Sequence, residues 1–302
     1  MSTAQDWGTA SANTITKTQH HKPNATLDPA QVKLTSPFVV CIIGASRGIG
    51  AGVAYSYAKA GASGIVLVSR RTAGLEDTAA VCNKLNPGNR TEIVTCDITD
   101  ASSVEHLAEK TWSKFGHLDV VVVNSGYSGP VVLKVTDTDP VTFQQAINVN
   151  YVGTFLCAKH FIPLLLKTDG GAKAFIAVNS LASLLIRGPI ANTQYCVSKA
   201  AQLKLMEHIH EQYASEGLAS ISVHPGAVAS EMAADPSVPE SFRPFLIDSP
   251  ELCGSFCVWL TKDKTRRWLS GRLLSANWDA DELEARREEI VGRDMLKLKL
   301  SM

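Results

Sequence analysis

The strongest constraint on what this chain can become is a repeated alternation. Phe38-Val39-Val40-Cys41-Ile42-Ile43 is a short apolar run rich in β-branched residues. Similar runs follow at 65–68, 92–96, 118–123, 174–178, 218–223 and 272–275. Such runs read as buried strands. Between them lie stretches of helical pattern, at about 49–60, 73–85, 101–115 and 193–215. Asp100 is a candidate N-cap. Asp139-Pro140 reads as the N-cap and first residue of a helix reaching to about 167. Cys253 and Cys257 fall in a further helix, and a charged helix at about 280–293 closes the pattern. Short strands alternating with helices of about a dozen residues require parallel βαβ units. The expected fold is α/β, an open doubly wound parallel sheet with helices on both faces, which is why its strands are apolar along their whole length.

At 302 residues with 45% hydrophobic content, the chain can bury a sizeable core. No linker divides it, so residues 37–302 are expected to form one domain. Residues 1–36 read as a polar extension, either disordered or lying across the body. The 29 basic and 29 acidic side chains balance. That excludes the basic stripe of a nucleic-acid binder and the acidic tail of a solvating protein. The seven cysteines are scattered and odd in number, without a CxxC pair. They point to reduced thiols in a cytoplasmic compartment, with no metal site. The N-terminus lacks the apolar core of a signal peptide. No run approaches the ~18 apolar residues that span a bilayer. The final Lys-Leu-Ser-Met is no peroxisomal address.

Two motifs carry chemistry. Gly44-Ala45-Ser46-Arg47-Gly48-Ile49-Gly50 stands between the first strand and the first helix. Glycines there permit a tight turn and close approach to a pyrophosphate, and the helix N-terminus offers free N–H groups. The second strand ends in Ser69-Arg70-Arg71, with no acid to meet the ribose hydroxyls. An arginine there accommodates a 2′-phosphate, and Arg47 could reach the same group, so NADP(H) is favoured over NAD(H). The second motif is Tyr195-Cys196-Val197-Ser198-Lys199. On a helix, Tyr195 and Lys199 share a face. A phenol with reference pKa near ~10 exchanges protons poorly at neutral pH, and a cation one turn away is expected to lower that value.

In this order the motifs resemble those of the short-chain dehydrogenase/reductase family in its single-domain, Rossmann-type form, over residues 37–278. Gly44 to Gly50 resembles the family's cofactor turn, and Asp97-Ile98 its adenine-contacting pair. Asn124-Ser125-Gly126 is similar to the NAG motif. Asn150-Tyr151-Val152-Gly153 matches the motif that carries the catalytic Asn. Pro225-Gly226 resembles the PG motif, with Val228 contacting the nicotinamide and Ser230 where Thr is common. The C-terminal stretch is similar to reductases of fungal metabolism. The resemblance implies that Tyr195 exchanges a proton with a carbonyl or alcohol oxygen. Lys199 would lower the Tyr195 pKa and hold ribose, and Asn150 would hold a relay water. The family's serine usually lies nearer the tyrosine, at a place taken here by Ala182. Ser180, 15 residues before Tyr195, is the first choice, with an insertion in 184–193. Ser183 is the reserve.

The segment 229–250 holds Met232, Phe242, Phe245, Leu246 and Ile247 among prolines. It is expected to border the substrate as an apolar lid, suiting a mid-sized, mostly apolar molecule such as a secondary metabolite. The resemblance implies a homo-dimer or homo-tetramer and no membrane or nucleic-acid partner. Two other readings stand beside the ketoreductase or alcohol dehydrogenase. One is a dehydratase or isomerase on the same scaffold, the other a nucleotide-binding protein without catalysis.

Overall fold

The computed structural model describes residues 15–300. Seven parallel strands form one sheet in the order β3-β2-β1-β4-β5-β6-β7. They are β1 (Val39–Ile43), β2 (Gly64–Ser69), β3 (Arg90–Thr95), β4 (Val120–Val123), β5 (Ala174–Val178), β6 (Ala219–His224) and β7 (Leu273–Ser275). The helices are α1 (Gly48–Lys59), α2 (Leu75–Leu85), α3 (Ala101–Phe115), α4 (Pro140–Ile147), α5 (Gly153–Lys167), α6 (Thr193–Tyr213), α7 (Pro250–Thr261), α8 (Ala280–Ala285) and α9 (Arg287–Gly292). Strand order reverses between β1 and β4, so a crevice opens beyond their C-terminal ends.

Alternate strand residues supply two cores. Val40, Ile42, Ile65, Leu67, Val120 and Ile176 face α1, α2 and α7, where they meet Val53, Leu75 and Phe256. Val39, Cys41, Ile43, Val66, Val121 and Phe175 face the other way, against Leu107 of α3, Phe161 of α5 and Met206 of α6. Both faces are dry, as the unbroken apolar runs required. All seven cysteines are free and buried.

Helices α1 and α7 pack almost backbone to backbone. A Cβ on Gly52 would stand 2.5 Å from the Pro250 carbonyl oxygen, and one on Gly254 would stand 2.6 Å from that of Gly52. Between these helices the buried Tyr57 hydroxyl meets Thr261 Oγ1 at 2.8 Å.

The helix expected from 140 to 167 is continuous, but Asn148–Val152 is wound as a π turn between α4 and α5. By length and composition alone this 28-residue segment could cross a membrane, contrary to the expectation that no run approaches that length. Here Cys157, Phe161 and Leu165 of α5 are fully buried against the sheet. The single closing helix expected at 280–293 is instead two, broken at Arg286. The Arg286 guanidinium reaches the Ile15 carbonyl at 2.6 Å and Glu289 at 2.9 Å, a long-range anchor that local pattern does not reveal.

Of the two readings of the extension, residues 15–36 follow the second and lie across the body. Residues 1–14 fall outside the described residues. Thr18 and Thr26 hydroxyls donate to Glu282 and Asp281, each at 2.7 Å, and Leu27 is buried in the first core. His21 Nδ1 meets Asp248 Oδ1 at 2.6 Å. Asp248 also accepts from the Ala227 N–H and from Asn277 Nδ2, so the strap touches the back of the loop that follows β6.

Gly254→Val is expected to lower the unfolding free energy by about 1–3 kcal/mol by forcing α1 and α7 apart. Urea denaturation measures it, and an unchanged midpoint would refute the close-packing account.

Candidate active site

The turn after β1 is shaped by contacts that leave no room for side chains. Gly44 has φ +94° and its carbonyl accepts Asn124 Nδ2 at 2.8 Å. A Cβ on Gly50 would lie 1.9 Å from that same carbonyl. The start of α1 is thereby pressed against the ends of β1 and β4, and its N-terminus has no side-chain cap. Its first-turn N–H groups are therefore free to meet a ligand.

Beside this turn is a cavity of about 1360 Å³, beyond the roughly 300–1,000 Å³ of an ordinary ligand pocket. It has room for a dinucleotide and a second molecule. Gly44, Ser46, Arg47, Gly48 and Ile49 line it, with Arg70, Asp97, Ile98, Asn124, Tyr195, Lys199, Pro225 and Ser230. Most of the expected cofactor residues thus share one wall. Gly50, Gly226 and Val228 do not line it. Gly50 lets α1 pack, Gly226 lies against Asp248, and Val228 is buried and bridges to Asp248. The cavity residues fit a dinucleotide. Free helix N–H groups suit a pyrophosphate, and Arg70 at the end of β2 suits a further phosphate.

The catalytic candidates converge from three elements. Asn192 caps α6 by accepting the Tyr195 N–H at 3.1 Å, which starts the helix two residues before Tyr195. The Ser180 hydroxyl, just past β5, accepts the Ala182 N–H at 3.1 Å and is near enough to the Tyr195 phenol to favour its ionised form. Ser183 is turned away, donating to the Ser180 carbonyl at 2.7 Å. Of the two serines, Ser180 is the one that acts on the Tyr195 phenol. His224, at the end of β6, accepts the Leu181 N–H at 3.3 Å and so steadies this segment. Burial holds the His224 imidazole down at about 4, and it remains a neutral acceptor at ordinary pH.

Asn150 is fully buried in the π turn. Its amide closes on Tyr127, accepting from the backbone N–H at 2.8 Å and donating to the carbonyl at 2.7 Å, and it also donates to Ser198 Oγ at 2.8 Å. Its own carbonyl already accepts the Thr154 hydroxyl. The Asn150 side chain thus holds the loop after β4.

Lys199 Nζ donates to the Val178 carbonyl at 2.8 Å and to Gln202 Oε1 at 2.9 Å. It lies 5.9 Å from the Tyr195 ring centre. Burial pulls the ammonium down to about 7. Burial also pushes the Tyr195 phenol up to about 12, against the pull of the Ser180 hydrogen bond. The expected lowering of the phenol by its neighbouring cation is not met in this structure, because desolvation disfavours both charged forms.

Sequence reading missed two features. Gln202 follows Lys199 by three on the same helical face, a spacing that could have signalled it. The Arg47–Glu231 ion pair, at 2.5 Å, joins the glycine turn to the loop after β6 across the cavity mouth, and no local signal announces it. The apolar lid is realised only in part. Met232 lines the cavity with Ser230, Glu231 and Asp235. Phe242 instead packs on Phe245, and Phe245 and Ile247 are exposed. The far wall is mixed, with Pro130, Val141 and Val149 beside Gln144, Gln145 and Asn148.

A family model described as short chain dehydrogenase matches residues 38–239. The chain is 39% identical over 289 residues to the short chain dehydrogenase mpl6 of Monascus purpureus, covering 95% of this chain and 96% of that protein. It is 32% identical over 297 residues to the short chain dehydrogenase pgmD of Aspergillus terreus, covering 95% and 94%. Among solved structures it resembles a 7α-hydroxysteroid dehydrogenase complexed with NADH and a 7-oxo bile acid conjugate. The TM-score is 0.71 with 24% identity, over 84% of this chain and 97% of that one. A Shigella flexneri protein complexed with NADP also gives TM-score 0.71 and 24% identity, over 82% and 99%. These two likenesses concern the fold.

The depressed Lys199 pKa has a thermodynamic consequence. Between pH 7 and its unfolded value near ~10.5 the unfolded chain holds a proton that the folded protein lacks, so raising pH through that window favours folding. Below pH 7 both states carry the charge and the penalty of burying it is complete. Lys199→Met removes the group. Relative to the variant, the wild type should gain about 1.4 kcal/mol per pH unit across the window. Denaturant titrations at stepped pH measure it, and parallel stability curves would show that Lys199 is not desolvated.

Proposed function

This chain belongs to the short-chain dehydrogenase family of NAD(P)-dependent oxidoreductases, and from that premise we propose that it interconverts a carbonyl and a secondary alcohol on a mid-sized small molecule, using NADP(H) in preference to NAD(H). One observation carries the reading. Tyr195, with Ser180 nearby, stands beside buried Lys199 at the wall of a cavity large enough for a dinucleotide and a second molecule.

The bound nicotinamide supplies or accepts the hydride. Tyr195 gives its phenolic proton to the carbonyl oxygen in reduction and removes it from the alcohol in oxidation. Ser180 hydrogen-bonds the same oxygen and keeps the phenol aimed at it. Lys199 holds its proton more readily beside an anionic ligand, and as an ammonium it favours the Tyr195 phenolate. Asn150 holds the Tyr127 loop and, through Ser198, the start of α6.

The cofactor preference rests on Arg70 at the cavity, on the absence of an acid in 69–71, and on the exposed guanidinium of Arg47 within the glycine turn. The fold itself accompanies NADH in one similar protein and NADP in another, so the choice falls to such local charges. The mixed far wall supports a largely apolar substrate that also carries hydrogen-bonding groups. Relatives from Monascus and Aspergillus support a fungal secondary metabolite. Exposed Tyr151, Phe155 and Val197, on adjoining helical surface, support a homo-dimer or homo-tetramer.

NADPH and NADH titrated side by side by fluorescence test the reading. NADPH should bind at least about tenfold tighter, a gap of about 1.4 kcal/mol, and Arg70→Ala should erase most of that gap while leaving NADH unchanged. Tighter NADH binding would overturn the preference, and binding of neither would overturn the function. Tyr195→Phe should keep cofactor affinity and lower NADPH-driven ketone reduction by about 10²-fold or more.

A further inference from the structure

Beneath the cavity, buried polar groups form one directed line. Lys199 Nζ donates to Gln202 Oε1 at 2.9 Å, Gln202 Nε2 donates to Thr154 Oγ1 at 2.7 Å, and Thr154 Oγ1 donates to the Asn150 carbonyl at 2.8 Å. Gln202, Thr154 and Asn150 are all fully buried. Chemistry sets the direction. An ammonium has donors only, so Gln202 must turn its oxygen toward Lys199. Its amide NH₂ then faces Thr154, whose single hydroxyl proton is left for Asn150. Flipping the Gln202 amide would set donor against donor at Lys199 and break the line, leaving buried groups unpaired at a cost. The return path is also bonded, from Asn150 Nδ2 to Ser198 Oγ at 2.8 Å and from Ser198 Oγ to the Tyr195 carbonyl at 2.8 Å. The loop thus ties the π turn to α6 on both sides of Lys199.

Lys199 spends a second donor on the Val178 carbonyl. One N–H remains, and Lys199 lines the cavity. We infer that Gln202 is a positioning residue, which by holding Lys199 from below directs its remaining ammonium donor to the ribose hydroxyls of the bound dinucleotide and keeps the ammonium in register with Asn150. This rests on the reading that Lys199 faces the cofactor. A carboxamide suits the task because it orients the ammonium without titrating itself. Tyr195 is the titratable side chain facing Lys199, and among the described residues no charged side chain contributes to its pKa shift.

Gln202→Leu and the near-isosteric Thr154→Val test it, with NADPH as the probe, titrated by fluorescence from acid to alkaline pH. Gln202→Leu removes an acceptor of the ammonium. It should weaken NADPH binding about tenfold near neutral pH. It should also move the alkaline fall-off of affinity down by about one pH unit relative to wild type, since a lost hydrogen bond to the charged form lowers the pKa of an ammonium. Thr154→Val should move it the same way by less. Wild-type affinity in folded Gln202→Leu, or weakening that is equal at every pH, would overturn the positioning role. If circular dichroism shows Gln202→Leu unfolded, Thr154→Val decides, and an unmoved fall-off overturns the inference. Wild-type protein that binds no cofactor sinks the functional reading itself. Wild-type binding with unresponsive variants sinks only the role of Gln202.

Discussion

Parallel strands cannot be joined by tight turns, and each must be followed by a crossover that returns along one face of the sheet. That constraint determines most of this molecule. It places helices on both faces, makes the strands apolar throughout and divides the core into two. It also leaves a crevice where the strand order reverses between β1 and β4. The glycine turn, the ends of β2, β4, β5 and β6 and the start of α6 all meet at that crevice. The site is a consequence of the winding before it is a consequence of any particular side chain.

Within the crevice the dominant physical term is desolvation. It disfavours the charge on Lys199 and disfavours a charge on Tyr195. Two buried groups that resist ionisation are well placed for an exchange in which one proton moves and an anionic ligand enters, because the ligand alters the balance that burial has set. Hydrogen bonds confine the geometry meanwhile. Ser180 is held by the Ala182 N–H, His224 steadies the segment behind it, and Gln202 holds the ammonium.

The sheet was legible because its signals are local. The helix at 101–115 and the strand at 174–178 stand where the apolar pattern put them. The glycine turn and the tyrosine–lysine pair were legible because spacing on a known element implies a shared face. Other features depend on partners far along the chain. Arg286 breaks a helix to reach Ile15. Glu231 finds Arg47 only because two loops close over one cavity. Phe242 and Phe245 read as pocket residues by composition, yet they pack on each other. Where Ser180 and Ser183 point depends on the actual path of the loop after β5.

The π turn at Asn148–Val152 bears on how one helix meets two demands. Successive residues of an α-helix are rotated by roughly 100° about its axis, so the extra residue of a π turn puts the segments before and after it out of phase. Before the turn, Val141, Gln144 and Gln145 look into the cavity, as does Asn148 at its start. After it, Cys157, Phe161 and Leu165 look into the core. The turn works as a phase shifter, so that a wet wall and a dry wall run along a single rod without a loop between them. Winding the same residues as regular α-helix would turn the segment after it by about one residue step and misalign the two walls. The helix would then have to expose its core stripe or surrender the cavity. A local irregularity of this kind is therefore harder to lose by gradual substitution than any single side chain in the site.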